Sequence, residues 1–172
     1  ALTSLDLSAF NTEKVTDMGS MFNMCSALAS LDLSSFNTEK VTNMAIMFNY
    51  CSALTSLDLS KFNTANVTSM RSMFANCSTL TSLDLSKFNT ANVKNMSDMF
   101  FYCFALTSLD IRNFDIGKVT NFTSIFYIVG YKAGTSSKTP IKVTSALHTA
   151  LKDRDVSPGD YAEYDIIDIM PS

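Results

Sequence analysis

Histidine is nearly absent from this chain. His148 is the only imidazole, and no serine, cysteine or carboxylate motif is spaced to work with it. It reads as a solvent-exposed residue. No Ser-His-Asp set or histidine pair for a metal can be assembled. Glycine is scarce as well, with five residues and no phosphate-binding loop. The four cysteines form no CxxC pair, whereas a structural zinc site wants ligands two to four residues apart. Positive charge has no surplus. The net charge of −3 gives no reason to expect nucleic acid as a partner. No apolar run approaches the roughly 20 residues of a membrane-spanning helix, and no signal-peptide pattern occurs within the 172 residues.

What the sequence does contain is repetition. The stretch Leu57, Asp58, Leu59, Ser60, Lys61, Phe62, Asn63 and Thr64, followed by Val67, Met70, Met73, Phe74 and Cys77, occurs five times. Its leading leucine is Leu5, Leu31, Leu57, Leu83 and Leu109, a constant spacing of 26 residues. Self-similarity at such a period marks a solenoid. Leu57 and Leu59 alternate with Ser56, Asp58 and Ser60, the period of a strand with one apolar face. Val67, Met70, Phe74 and Cys77 then follow at spacings of three, four and three, which predicts a helix of roughly three turns. Asn63 and Thr64 stand where side-chain oxygens can cap it. Stacking such units would pair the strands in parallel and bury both apolar sides. The expectation is an α/β repeat solenoid, with a parallel sheet on one face and short helices on the other. Phe10, Phe36, Phe62, Phe88 and Phe114 are expected to form an aromatic spine at the corner after the strand.

Residues 1–129 divide into five repeats, and 130–172 read as a C-terminal capping segment. The first four repeats are nearly identical. The fifth drifts, with Arg112 on the strand, then Asp115 and Ile116 for Asn and Thr, and Val129 for cysteine. Residues 130–139 are a loop by composition. Pro140 to Val143 predicts a sixth strand with Lys142 in the aspartate position, and Ala146, Leu147, Ala150 and Leu151 a cap helix behind Ser145. A turn at 155–160 and a further strand or ordered tail from Tyr161 to Ile169 complete the cap. The chain opens in mid-phase at Leu2 and Leu5 with no polar cap, which reads as a fragment of a longer chain without its leader or anchor.

These repeats resemble the BspA-like bacterial surface proteins and their 26-residue leucine-rich pattern LxxLDLSxFxTxxVxxMxxMFxxC, matched over about residues 2–129. The resemblance implies a leucine-rich-repeat-like fold, secretion, and display on the cell surface. It also implies adhesion to, or recognition of, an extracellular protein or glycan of the host or community. Fold alone does not select the ligand.

Several columns bear on a site. Asp6, Asp32, Asp58, Asp84 and Asp110 are the candidate binding residues, a carboxylate ladder on the open sheet face flanked by serine columns. Neighbours about 5 Å apart repel by roughly 0.8 kcal/mol in water and about 3 kcal/mol at an effective dielectric of 20. That cost must be offset by hydrogen bonds or by a ligand such as a cation, a basic segment or sugar hydroxyls. Arg112 and Lys142 close the ladder with positive charge. Cys25, Cys51, Cys77 and Cys103 occupy a position that accepts Val129, so they read as buried free thiols. Eight of the ten methionines fall on two core columns. The asparagine column (Asn11, Asn37, Asn63, Asn89) and its threonine neighbours read as caps or turn bonds. Tyr50 and Tyr102 lie on an outer rim where they can meet a partner. Two further positions vary from repeat to repeat and read as exposed: Gly19, Ala45, Arg71, Ser97, Thr123, and Ser20, Ile46, Ser72, Asp98, Ser124. The carboxylates share near-identical surroundings, whereas acid–base catalysis needs two that differ. The chain therefore reads as a non-catalytic recognition module with no metal and no cofactor, or as a spacer or self-associating stalk that projects another domain.

Overall fold

Buried backbone N–H and C=O groups must find partners. In this protein that pairing is divided between local turns and bonds from one 26-residue coil to the next. The computed structural model describes residues 2–130, 141–153 and 169–170. Coils 1 to 5 comprise residues 2–26, 27–52, 53–78, 79–104 and 105–130. Met18, Ser20, Phe22 and Met24 of coil 1 donate N–H bonds to the carbonyls of Asn43, Ala45, Met47 and Asn49 of coil 2 at 2.8–3.0 Å. The same four bonds recur from coil 2 to coil 3, beginning at Met44 to Ser69. Parallel bridges link Asp17, Asn43, Ser69, Asn95 and Asn121 in one line through all five coils.

This bonding replaces the expected helices. The only α-helix among the described residues is α1, Ser145–Asp153. Where the 3-4-3 stripe predicts one in each repeat, the chain makes tight turns, with bonds such as Met21 N–H to Met18 and Cys25 N–H to Phe22. Two residues per coil are left-handed, for example Ser20 at φ 60° with Met24 at 62°, and Ile46 at 64° with Tyr50 at 58°. A right-handed helix has no place for either. An isolated helix of three turns is marginal in water, and Asn, Ser, Thr, Val and Phe are weak helix formers. The adjoining coil offers a bonding partner at every second residue instead. One of the two columns that vary between repeats is thus a left-handed column, and Ser72 and Ser97 are buried rather than exposed.

Four short strands form one parallel sheet in the order β1 (Ser82–Asp84), β2 (Ser108–Asp110), β3 (Ile141–Thr144) and β4 (Ile169–Met170). β1 and β2 belong to coils 4 and 5, and Asp84 pairs with Asp110. β3 lies in register beyond β2 and sets Lys142 opposite Asp110. In coils 1 to 3 the corresponding Ser-Leu-Asp segments form no strand. Leu83 and Leu109 are accordingly buried, while Leu31 and Leu57 are half-buried. Leu7, Leu33, Leu59, Leu85 and Ile111 are buried throughout. In the helix, Leu147 and Leu151 are buried and His148 is half-buried. The Thr144 hydroxyl, rather than that of Ser145, accepts the Leu147 N–H at 3.2 Å. The expected loop, Pro140, the 155–160 turn and the strand or tail before Ile169 lie outside the described residues.

Two side-chain columns lock the coils together. The stacked rings are Phe22, Phe48, Phe74, Phe100 and Phe126, with centroids 5.6–5.9 Å apart and planes within 8°. The corner phenylalanines, expected to be the spine, are buried in coils 2 to 5 without forming that stack. The second column is threonine. Thr12, Thr38, Thr64 and Thr90 are buried, and each hydroxyl joins both backbone groups of the next coil's corner residue. Thr64 Oγ1 donates to the Asn89 carbonyl at 3.0 Å and accepts the Asn89 N–H at 2.8 Å.

Thr64→Val keeps the shape and removes both bonds. Leaving the N–H and C=O of Asn89 unpaired is expected to cost about 2–4 kcal/mol in equilibrium denaturation, and Thr64→Ser much less. Tyr50→Asn acts in the opposite direction. It places at a left-handed position (φ 58°) the residue type that coil 3 already uses there, Asn76 at φ 60°. The expected gain is about 1 kcal/mol, read as a higher denaturation midpoint.

Candidate functional site

The aspartate column begins as a local turn device. In each coil the Asp Oδ1 accepts the N–H two residues ahead: Ser8 to Asp6, Ser34 to Asp32, Ser60 to Asp58 and Ser86 to Asp84, each at 2.9 Å. This is an Asx turn, and it leads into the corner closed by bonds such as Phe62 N–H to Leu59. One carboxylate oxygen of each is thus occupied by its own chain. Asp6, Asp32, Asp58 and Asp84 remain exposed. The Ser8 hydroxyl and then its N–H hold Asp6 below the ordinary carboxylate value, and Ser34 does the same for Asp32. At Asp58 the Ser60 N–H leads and its hydroxyl follows, with smaller help from Lys61 and slight opposition from Asp32. That opposition is the like-charge repulsion expected of a ladder. The hydroxyls and Lys61 offset it without a ligand.

Asp110 differs. It is buried and chelated by Arg112, whose Nε lies 2.9 and 3.0 Å from the two carboxylate oxygens and whose terminal nitrogen pairs with Oδ2. Burial pulls its carboxyl upward. The Arg112 side chain and N–H, with the charges of Arg112 and Lys142, outweigh that and leave it below the ordinary value. The structure pairs Asp84 with Asp110 across two strands and does not join Asp6, Asp32 and Asp58 by strand pairing.

Cys51, Cys77 and Cys103 are buried, and Cys25 is half-buried. The first three thiols donate to the carbonyls of Phe22, Phe48 and Phe74 in the preceding coil at 3.1–3.2 Å. Burial pushes Cys51 and Cys103 up to about 12 and Cys77 well above its ordinary value. Thiols so placed stay protonated at neutral pH and are poor nucleophiles. Among the described residues, no group of three His, Cys, Asp or Glu could hold a metal ion. No described helix is long and apolar enough to cross a membrane.

The asparagine column repeats the aspartate device. The Oδ1 of Asn37 accepts the N–H of Glu39, and that of Asn63 the N–H of Ala65. The feature that does not repeat lies on the turn side of coils 4 and 5. Phe101 stacks on Tyr127 at 5.2 Å, and Tyr102 meets Phe101, Phe104 and Tyr127 edge-on at 4.4, 5.1 and 5.7 Å. Phe104 is exposed and the other three are half-buried. Earlier coils carry Asn23, Asn49 and Ala75 in the Phe101 column, and Ser26, Ser52 and Ser78 in the Phe104 column. The periodic reading singled out Tyr102 and missed its companions. The signal available was their departure from the repeat. Tyr50, the other rim tyrosine, stands exposed apart from this cluster.

Because Asp6, Asp32 and Asp58 titrate low in the folded chain, their stabilisation is complete above the ordinary value of about 3.9. It is lost as pH falls through the lower folded values. The protein is therefore expected to lose stability below about pH 4. Exchanging Asp6, Asp32 and Asp58 together for Asn keeps the turn acceptors, so this variant should stay folded at pH 7 and show a shallower acid transition, measured by melting against pH.

No curated protein and no solved structure matches the chain significantly. One family model matches twice, over residues 2–101 and 56–138, overlapping as tandem repeats do. The match is consistent with a bacterial surface repeat protein. Since it spans most of the chain, the protein belongs to the family described as Mycoplasma protein of unknown function, DUF285.

Proposed function

We propose that this chain is a repeat solenoid of the BspA-like, leucine-rich-repeat-like kind that serves as a non-catalytic recognition module on a bacterial surface. Its expected partner is an extracellular protein or glycan. Residues 1–129 form the array and 130–172 its cap. The coil-to-coil bonding at a constant register supports the solenoid reading.

The observation that carries the recognition reading is the aromatic cluster of Phe101, Tyr102, Phe104 and Tyr127. Rings with an exposed side give apolar area at little entropic cost, and tyrosine is enriched among residues that dominate binding. This cluster breaks the repeat, as a specific reader requires. The aspartate ladder is less apt to be the centre, since one oxygen of each carboxylate already closes a turn. One observation favours the spacer reading: the Ser-Leu-Asp segment, whose serine and aspartate are exposed in the first four coils, is almost unchanged from coil to coil.

Binding to immobilised extracellular-matrix proteins and to a glycan array separates these readings. Tyr102→Asn and Phe104→Ser restore the residue types of coil 3, Asn76 and Ser78, so they fit the fold. Together they are expected to weaken binding at least about tenfold, while the triple Asp→Asn variant binds as the parent does. The reverse pattern would place recognition on the aspartate face. A chain that binds neither surface is a spacer.

A further inference from the structure

One strip of the turn side carries no charge. Residues 23–26, 49–52, 75–78, 101–104 and 127–130 contain no Asp, Glu, Lys or Arg. What stands there is an amide row that runs into the aromatic cluster. Asn49 Nδ2 donates to Asn23 Oδ1 at 3.0 Å, and Asn76 Nδ2 to Asn49 Oδ1 at 3.3 Å. The Asn76 N–H then reaches the Phe101 carbonyl at 2.7 Å, and Phe101 stacks on Tyr127.

A second aromatic residue lies on the same strip. Tyr50, Asn76 and Tyr102 occupy one column of coils 2, 3 and 4, at φ 58°, 60° and 58°. Tyr50 is 49% exposed and Tyr102 is half-buried. With parallel coils about 4.8 Å apart, the two tyrosine positions lie about 10 Å apart with an amide between them. Asparagine suits a left-handed position better than tyrosine does. Coils 2 and 4 therefore keep their rings against a backbone preference that coil 3 satisfies. Strain of this kind collects at functional positions.

The chemistry of the strip selects its ligand. The N–H groups of Asn49, Tyr50, Asn76, Phe101 and Tyr102 are all bonded within the fold, so an added peptide strand finds no row of donors to pair with. The lack of charge gives no complement to an acidic or basic partner. A pyranose ring matches what remains. It has an apolar C–H face for an aromatic platform, and hydroxyls that donate and accept as amides do. In an extended β-1,4-linked glucan each sugar spans about one coil step, and the same ring face returns at every second sugar. That is the spacing from Tyr50 to Tyr102.

We propose that this strip binds an uncharged β-1,4-linked glucan lying along the stacking axis. Tyr50 and the Tyr102 cluster each stack on a sugar, two units apart, and Asn49 and Asn76 bond the hydroxyls between them. The inference rests on the recognition reading of the cluster and gives its ligand class.

Titration calorimetry on the full chain tests it, with cellohexaose, cellobiose and the α-linked maltohexaose as probes. Cellohexaose alone reaches both platforms and is expected to bind at least about tenfold more tightly than the other two. Tyr50→Asn takes the residue type of coil 3, and a melting curve checks that it stays folded. It is expected to lower cellohexaose affinity at least about tenfold and to leave cellobiose binding at the Tyr102 cluster unchanged. The proposal is overturned if cellohexaose is not bound, if maltohexaose binds as well, or if Tyr50→Asn binds cellohexaose as the parent does. A chain that binds a matrix protein through Tyr102 and Phe104 but no cellohexaose overturns this inference and keeps the recognition reading. A chain that binds no probe and no surface overturns both.

Discussion

The structure depends on one constraint, that the backbone of a coil without helix or wide sheet must find its hydrogen-bond partners in the adjoining coil. The turn segments donate at every second residue to the coil ahead. The buried threonines complete the arrangement at the corner, each hydroxyl serving as donor and acceptor to one residue of the next coil. No coil is satisfied alone. Stability in such an array is a sum over junctions, so a fault at one corner is felt by both coils that share it.

That constraint explains why the repeat is so uniform. A bond from residue i to residue i+25 requires the same length in every coil, which is why the first five coils carry no insertion. Stacking also places each side chain on its own equivalent. Phenylalanine meets phenylalanine with the rings nearly parallel, and each buried cysteine meets the carbonyl of the preceding phenylalanine. Asparagine amides do the same near the surface, where Asn49 donates to Asn23 at 3.0 Å. Once one such column is filled, a change in one coil disturbs two neighbours.

The polar surface obeys local rules as much as long-range ones. Asp and Asn close turns two residues ahead of themselves, and serine hydroxyls and Lys61 temper the resulting carboxylate column. Where the array meets its C-terminal segment, a fixed ion pair of Asp110 and Arg112 and the facing Lys142 replace that exposed arrangement. The same last coils exchange small polar residues for aromatic ones. The protein thus keeps its first coils generic and concentrates its individuality at one end.

The sequence by itself determined the period, the five-fold count and the main core columns, because a constant 26-residue spacing of apolar residues permits few alternatives. Met44, Met70, Phe48, Phe74, Cys51 and Cys77 are all buried as their spacing requires. Helix or turn was decided only by the tertiary structure. A 3-4-3 stripe suits both, and the choice rests on bonds to a neighbour 25 residues away. The left-handed residues follow from that choice, since Ser, Met, Ile and Tyr announce no positive φ on their own. Tertiary packing also chose which phenylalanine column stacks, and it gathered Phe101, Tyr102, Phe104 and Tyr127 from two coils into one cluster. Such proximity across the stack depends on the lateral register of the coils, which a linear pattern does not contain.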